Sequence, residues 1–510
     1  MTSAFERLGA LDSFFLDCES DTNPMHIGAV CIFEAGRAGS RPLSISRLRR
    51  HVESRLNSIP RYRQCIKRVP VEGHPVWVDA ENFRIEDHVR ALALPAPQSC
   101  ARLEETVSWI FSQPLTRVRP LWEMWLIEGL EDGAVALACK VHHCMADGLG
   151  GASLMCAILG TEPFAETGTA EPWTPRRCPG EVELMGSAIA ARVRGAASLA
   201  RRASTQLATS PSEVLDEGAR MGTALRALAE AALSPSVETP FDGDPGASHR
   251  FLWWSAPIEE IKGIGRRLGG TVNDVALALV SEAFAQTTTG VPRDAALRVF
   301  CPVAASQAAS SQTLGNRVAG MLIDLPVGER SIRARWKSVL AATRKGKDSG
   351  AIQGTFLIEE FANAVAPSLL STLERAFRNV GAFNLVVTNV PGPPMPLYLF
   401  GHKMVGVFPL VPLFAHQSLG IAIFSYDGTL FWGFHADATR IDAVRQLRHA
   451  LAVALERLSL LAEIPLPQDA RRPIPLRADA NAWPQAAQKE PATRRADDAA
   501  GMSVASAAVS

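Results

Sequence analysis

The chain has 510 residues, in which 52 lysines and arginines balance 52 aspartates and glutamates, and charged residues make up only 20%. A neutral, sparsely charged chain implies no polyanion partner, so no nucleic acid is expected. Nine cysteines without a C-x-x-C pair fit buried thiols in a reducing compartment. The N-terminal MTSAFERLGALDSFF carries acids and no long apolar core, unlike a signal peptide, and no apolar run reaches membrane-spanning length. The expected place is the cytoplasm or the inner face of a membrane, and the length suffices for two large lobes.

In chain order, Leu11-Asp12 and Asn23-Pro24-Met25-His26-Ile27-Gly28 precede a strand at Ala29–Phe33. Ile45 to Leu56 has helical spacing, Trp77 to Arg90 alternates as strand and loop, and Leu103 to Phe111 reads as helix. Trp125–Ile127 and the apolar run Val135–Val141 form a strand pair. Prolines 163, 172, 175 and 179 mark a linker, followed by a helical stretch from Ile189 to Leu207 rich in alanine and arginine, and a second from Val214 to Leu233. Beyond Arg250 come a strand at Phe251–Ala256 and a helix at Ile258–Leu268 stopped by Gly269-Gly270. Thr271 to Asp274 then caps an apolar helix, Val275–Gln286. A strand at Val318–Leu325, helices at Ile352–Phe361 and Pro367–Phe377, and a buried strand at Asn384–Val387 follow. That strand runs into the stiff Pro391-Gly392-Pro393 turn. Ser418–Ser425 and Leu430–His435 flank Asp427-Gly428 as a hairpin, and Ile441–Leu461 is a helix. From Pro465 onward, proline, alanine, arginine and aspartate dominate, so residues 468–510 are expected to be disordered.

The stretch that carries chemistry runs from Ala134 to Gly151, AVALACKVHHCMADGLGG. A strand delivers His142 and His143 into a glycine-rich turn, which presents an imidazole at the mouth of a cavity. A neutral imidazole can take the proton of an attacking alcohol and return it to a leaving thiolate. His143, four positions before Asp147, is the candidate general base. Asp147 would tie the loop down by pairing with an arginine, Gly148 would allow the turn, and His142 would brace it. Two structural histidines, or two metal ligands completed by Cys144, are the competing readings, and no metal is expected.

The chain resembles the bacterial wax ester synthase/acyl-CoA:diacylglycerol acyltransferase family. The resemblance rests on Asn23–Gly28, Trp77-Val78, His88-Val89-Arg90, Leu94-Pro95, Pro120-Leu121-Trp122-Glu123 and His142–Gly148. In the second half it rests on Val272–Val275, Leu314–Arg317, Thr388–Pro393 and Ser425–Gly428. It spans about residues 6 to 460. The His-His-x-x-x-Asp-Gly motif is shared with peptide-synthetase condensation domains, and the other elements narrow it to the wax ester/triacylglycerol group.

The resemblance implies an α/β, two-lobed chloramphenicol acetyltransferase-like fold with mixed sheets and an inter-lobe tunnel. Residues 1–160 would form the first lobe, 161–249 the linker and crossover helices, and 250–467 the second lobe. It implies an O-acyltransferase that moves a fatty acyl group from acyl-CoA, a substrate and not a cofactor, to diacylglycerol or a long-chain alcohol. Contact with a membrane or lipid-inclusion surface goes with such substrates. Asn273 and Asp274 would lie beside the tunnel and hold substrate or polarise the thioester carbonyl, while Asn389 would be structural. Arg63 is the expected partner of Asp147, with Arg317 as the other candidate. A Cys144 hydrolase, a carrier-protein-dependent condensation enzyme and a non-catalytic lipid binder are the rivals.

Overall fold

The computed structural model describes residues 5–36, 42–145, 151–163, 172–209, 237–288, 290–304, 318–329, 331–348 and 383–463, with isolated positions 219 and 222. In the first half β1 (Phe5–Arg7), α1 (Ala10–Cys18), β2 (His26–Phe33) and α2 (Ile45–Arg55) lead to β3 (Gln64–Arg68) and β4 (Pro75–Asp79). The one-turn α3 (Ile85–His88), β5 (Val89–Ala93), α4 (Cys100–Ser112), β6 (Trp122–Glu128), β7 (Val135–His142) and α5 (Gly151–Ile158) follow. A long α6 (Glu181–Thr209) precedes the second half, which opens with β8 (His249–Pro257), α7 (Ile258–Leu268), α8 (Val272–Thr287), β9 (Ala296–Ala304), β10 (Val318–Pro326) and α9 (Ile332–Asp348). It closes with β11 (Leu385–Pro391), β12 (Tyr398–Leu399), β13 (His402–Leu410), β14 (Leu419–Tyr426), β15 (Thr429–Asp437) and α10 (Ile441–Leu461).

Among the described residues two six-stranded mixed sheets run in the orders β12-β13-β2-β7-β6-β5 and β10-β9-β11-β14-β15-β8, beside a small sheet β1-β4-β3. Most pairs are antiparallel, but β5–β6, β9–β11 and β11–β14 are parallel. The first sheet is completed by the second half of the chain, since β13 pairs along β2 from Met404↔Phe33 to Leu410↔Gly28. Residues assigned from sequence to the second lobe therefore cross back into the first.

Local chemistry explains several boundaries. Asp427 (φ 40°) and Gly428 (φ 81°) both take the left-handed conformation that a two-residue hairpin turn with matching twist needs. Gly269, at φ 75°, closes α7 as a C-terminal cap. Thr271 and Asp274 form a reciprocal capping box at the start of α8. That helix begins at Val272, so Asn273 lies in its first turn and is not its cap. Strand β11 extends through Pro391, beyond the Val387 expected, because its parallel pairing with β14 continues to Pro391↔Ser425.

Period-two alternation makes the second sheet serve two cores. Phe251 and Trp253 of β8, with Tyr426 and Phe431, pack into the core of the first sheet. Leu252, Leu430 and Trp432 face the core formed with α8 and α10. Helix α4 covers the exposed edge of β8: Ser108 Oγ accepts the Phe251 N–H at 2.9 Å and Ser112 Oγ accepts the His249 N–H at 3.1 Å. Those bonds satisfy donors that an uncovered edge strand would leave open. Arg448 of α10 reaches Glu104 of α4 at 2.9 Å and ties the halves together.

The helix expected at Ile189–Leu207 is present as part of α6. The linker before it is held to the small sheet by Arg176, which donates to both carboxylate oxygens of Asp79 at 2.8 and 3.0 Å. Of the helix expected at 214–233 only the isolated positions 219 and 222 are described, and the helices expected at 352–361 and 367–377, with the tail from 468, lie outside the described residues.

Candidate active site

Strand β7 pairs with β2 so that His142 stands opposite His26, and the strand ends there. A 3-10 turn, His143–Met145, follows at once. Backbone bonds fix the junction: the His142 N–H donates to Leu121 O at 2.9 Å and the His143 N–H to Met25 O at 2.8 Å. The two histidines are thus clamped between the segments that lead into β2 and β6.

His142 is fully buried. Its Nδ1 accepts the Cys144 N–H at 3.1 Å, which leaves Nε2 to carry the proton toward Glu19, 3.4 Å away. Glu19 is also gripped by Arg117 Nη2 at 2.7 Å. Burial alone would raise the Glu19 carboxyl, but His142 and Arg117 outweigh it and hold it down to about 2. His26, buried on the neighbouring strand, accepts the Leu115 N–H on Nε2 at 3.3 Å. Burial, with Lys140 and His142 nearby, pushes the His26 imidazole well below the usual histidine range. The Lys140 ammonium lies in the interior and closes the C-terminal end of α4 on Ile110 O (2.9 Å) and Gln113 O (2.7 Å), with Glu123 at 3.4 Å.

His143 points to the other side of the strand end. Its ring stacks on Phe15 of α1, centroids 3.6 Å apart and planes at 15°. Loss of hydration in this packed setting, with His142 adding a smaller push, lowers the imidazole to about 4. At neutral pH the ring is therefore unprotonated and able to accept a proton. Cys144 is buried and its thiol is raised well above the usual range by desolvation, the opposite of what a thiolate nucleophile needs.

The other predicted positions divide into three groups. Asp147, Gly148 and Arg317 lie outside the described residues. Asn273 and Asn389 are brought together, the Asn389 amide donating to Asn273 Oδ1 at 3.4 Å across the start of α8 and β11. Asp274 turns back on its own helix, where Oδ2 accepts the Thr271 N–H and hydroxyl, each at 2.8 Å. Arg63 is buried, donates to Asn57 Oδ1 and to Glu53 O (3.3 Å), and lies over the rings of Phe83 and Trp173 at 5.7 and 5.3 Å. Sequence reasoning missed Phe15, Glu19 and Arg117. For Phe15 and Glu19 the only signal was the short apolar segment followed by an acid ahead of Asn23, Arg117 had none, and nothing local links any of them to the histidines. Among the described residues no group of three or more His, Cys, Asp or Glu gathers as metal ligands would.

The two-sheet fold is also seen in solved structures. The fold matches a wax ester synthase/diacylglycerol acyltransferase from Marinobacter aquaeolei VT8 (TM-score 0.62, 24% identity, 90% of this chain and all of that one). It also matches the first condensation domain of the CDA synthetase (TM-score 0.53, 18% identity, 92% of this chain and all of that one). In sequence, the wax ester synthase/diacylglycerol acyltransferase catalytic domain matches residues 8–276 and the C-terminal domain of the same family matches residues 314–459. A Mycobacterium tuberculosis protein named as a diacylglycerol O-acyltransferase is 30% identical over 439 residues, 84% of this chain and 85% of the relative. A second from that organism, also so named, is 29% identical over 469 residues, 89% of this chain and 96% of the relative. The chain belongs to the wax ester synthase/diacylglycerol acyltransferase family, and is an O-acyltransferase.

Proposed function

We propose that the protein transfers a fatty acyl group from acyl-CoA to the hydroxyl of diacylglycerol, of a long-chain alcohol, or of both, with His143 as general base. The observation that carries this is the setting of the His143 ring, held at a strand end by its own backbone N–H and stacked on an aromatic face, where desolvation lowers its proton affinity. The acceptor O–H gives its proton to His143 as its oxygen attacks the thioester carbonyl carbon. The tetrahedral intermediate then expels the CoA thiolate, which takes the proton back from the imidazolium, leaving an ester and CoA-SH. Desolvation leaves the resting ring with low proton affinity, and the oxyanion that forms beside it raises that affinity in the reacting complex.

In this reading His142 and Glu19 are positioning residues that fix the turn, and Asp147 and Gly148 shape the loop beyond it. The Asn389–Asn273 bond orients the Asn273 amide as a donor toward the thioester carbonyl, a contribution of a few kcal/mol where such a donor meets the oxyanion. Substrates meet in a ternary complex in the tunnel between the lobes, so orientation supplies much of the rate. The division into a lobe at 1–160, a linker at 161–249 and a lobe at 250–467 belongs to the same proposal.

The test is ester formation by the purified protein from labelled palmitoyl-CoA with dioleoylglycerol or hexadecanol. His143→Ala should reduce the rate by about 10²–10⁴-fold with the fold intact. Undiminished ester formation in that variant removes the assignment.

A further inference from the structure

Among the described residues, helix α6 meets the rest of the molecule through one face. Leu184 and Ala188 are buried against Val69, Val76 and Val78 of the small sheet. At 100° per residue, Val182, Met185, Ile189 and Val193 form a stripe turned away from that contact. They are 85%, 38%, 62% and 64% exposed. Val71, at the tip of the β3–β4 turn, is fully exposed too. Its neighbour Glu72 takes Arg192 of the helix at 3.1 Å, which brings this valine to the end of the stripe where Val193 lies. Single exposed apolar residues are ordinary, but a helical row joined by a residue from a second element is a patch.

The charge of the helix says what covers it. From Leu184 to Thr209 it holds Arg192, Arg194, Arg201 and Arg202 and not one acid. Arg194 and Arg201 are exposed. At the N-terminal end, where Glu181 and Glu183 stand, Glu183 is paired with Arg177 at 2.7 Å. Apolar stripe and basic flanks together are the composition of a helix that lies in a lipid interface, with arginines at headgroup level. No helix among the described residues is long and apolar enough to cross a membrane, so contact through α6 would be lateral.

We propose that this face of α6, together with Val71, docks on a lipid surface bearing anionic headgroups. The proposal deepens the acyltransferase reading, because it names the phase from which a lipid acceptor is drawn, and it rests on that reading for this purpose alone. Binding is measured without substrate, so it fails or stands separately from the chemistry.

The full-length protein is floated with vesicles of phosphatidylcholine, alone and mixed with phosphatidylglycerol. The wild type should float with the mixed vesicles and only weakly with phosphatidylcholine. The triple variant Val182→Ser, Ile189→Ser, Val193→Ser should lose at least about tenfold in vesicle affinity. Arg194→Glu with Arg201→Glu should lose the preference for anionic vesicles and its salt sensitivity. Acyl transfer to a dispersed short-chain alcohol should be unchanged in both variants. A wild type that does not float, or a triple variant that floats equally well, overturns the proposal. So does a triple variant that changes only the sedimentation mass, since the stripe would then be a protein contact.

Discussion

The ring of Phe15 lies flat on the ring of His143, 3.6 Å away, although the two residues come from different elements of the chain. Phe15 keeps water off one face of the imidazole, and desolvation is the main cause of its low proton affinity. With the ring lowered to about 4, the neutral form persists through neutral pH. The acid limb of kcat/KM should therefore lie near 4 and the profile should be flat above it. Phe15→Ala admits water, so the limb should move up toward the ordinary histidine value of about 6.5. The variant should also lose about 3 kcal/mol of stability as a core truncation, read separately by denaturation.

Glu19 binds His142 and Arg117, and its carboxyl is lowered to about 2. A depressed carboxyl stabilises the fold at pH above its unfolded value and loses that contribution as pH falls through its folded one. Glu19→Gln should thus lower Tm at neutral pH by the equivalent of about 2–3 kcal/mol. The gap from wild type should narrow from about pH 4.5 downward and close near 2 in acid-unfolding curves.

Thr271 and Asn273 are two residues apart, yet their side chains do different things. Thr271→Ala removes a cap and should cost about 1 kcal/mol with kcat nearly unchanged. Asn273→Ala should leave Tm within about 0.5 kcal/mol of wild type and lower kcat by about 10²-fold. A paired measurement of melting and turnover separates the two, and an active Asn273→Ala enzyme rules out the oxyanion role.

Gly28 sits where β2 meets β7 so closely that a Cβ would stand 2.1 Å from Cys139 O. Backbone cannot yield as a flexible side chain can. Gly28→Ala should cost about 3 kcal/mol or more and displace the strand that sets His26 opposite His142. Loss of cooperative melting, or a Tm several degrees lower, is the expected result.

Arg63 is committed to Asn57, Glu53 and two aromatic rings, all of which hold the segment after α2. A double-mutant cycle of Arg63→Ala with Asp147→Asn tests whether it also reaches the motif loop. A coupling energy of about 1 kcal/mol or more supports the pairing. Additive losses dismiss it and leave Arg317 as the candidate.

Elements with local signals were legible in the sequence. Helices α7 and α10 occupy Ile258–Leu268 and Ile441–Leu461, as the spacing of their apolar residues indicates, and β7 ends one residue past the expected Val141. The capping box, the glycine stop after α7 and the Asp427-Gly428 hairpin are likewise short-range chemistry. The histidine pair was legible for the same reason, because a strand running into a glycine-rich turn is written in consecutive residues.

What the sequence alone determined, then, is many of the elements and the position of the histidine pair at the end of β7, since each depends on residues within a turn or two of one another. The tertiary structure alone decided that β13 returns to pair with β2, and that α4 seals the edge of β8. It also decided that Phe15 and Glu19 flank the two histidines from α1 and the segment just after it. These contacts join segments far apart along the chain. Which distant partner meets a given strand edge, ring face or carboxylate is settled only when two sheets and their helices share buried surface.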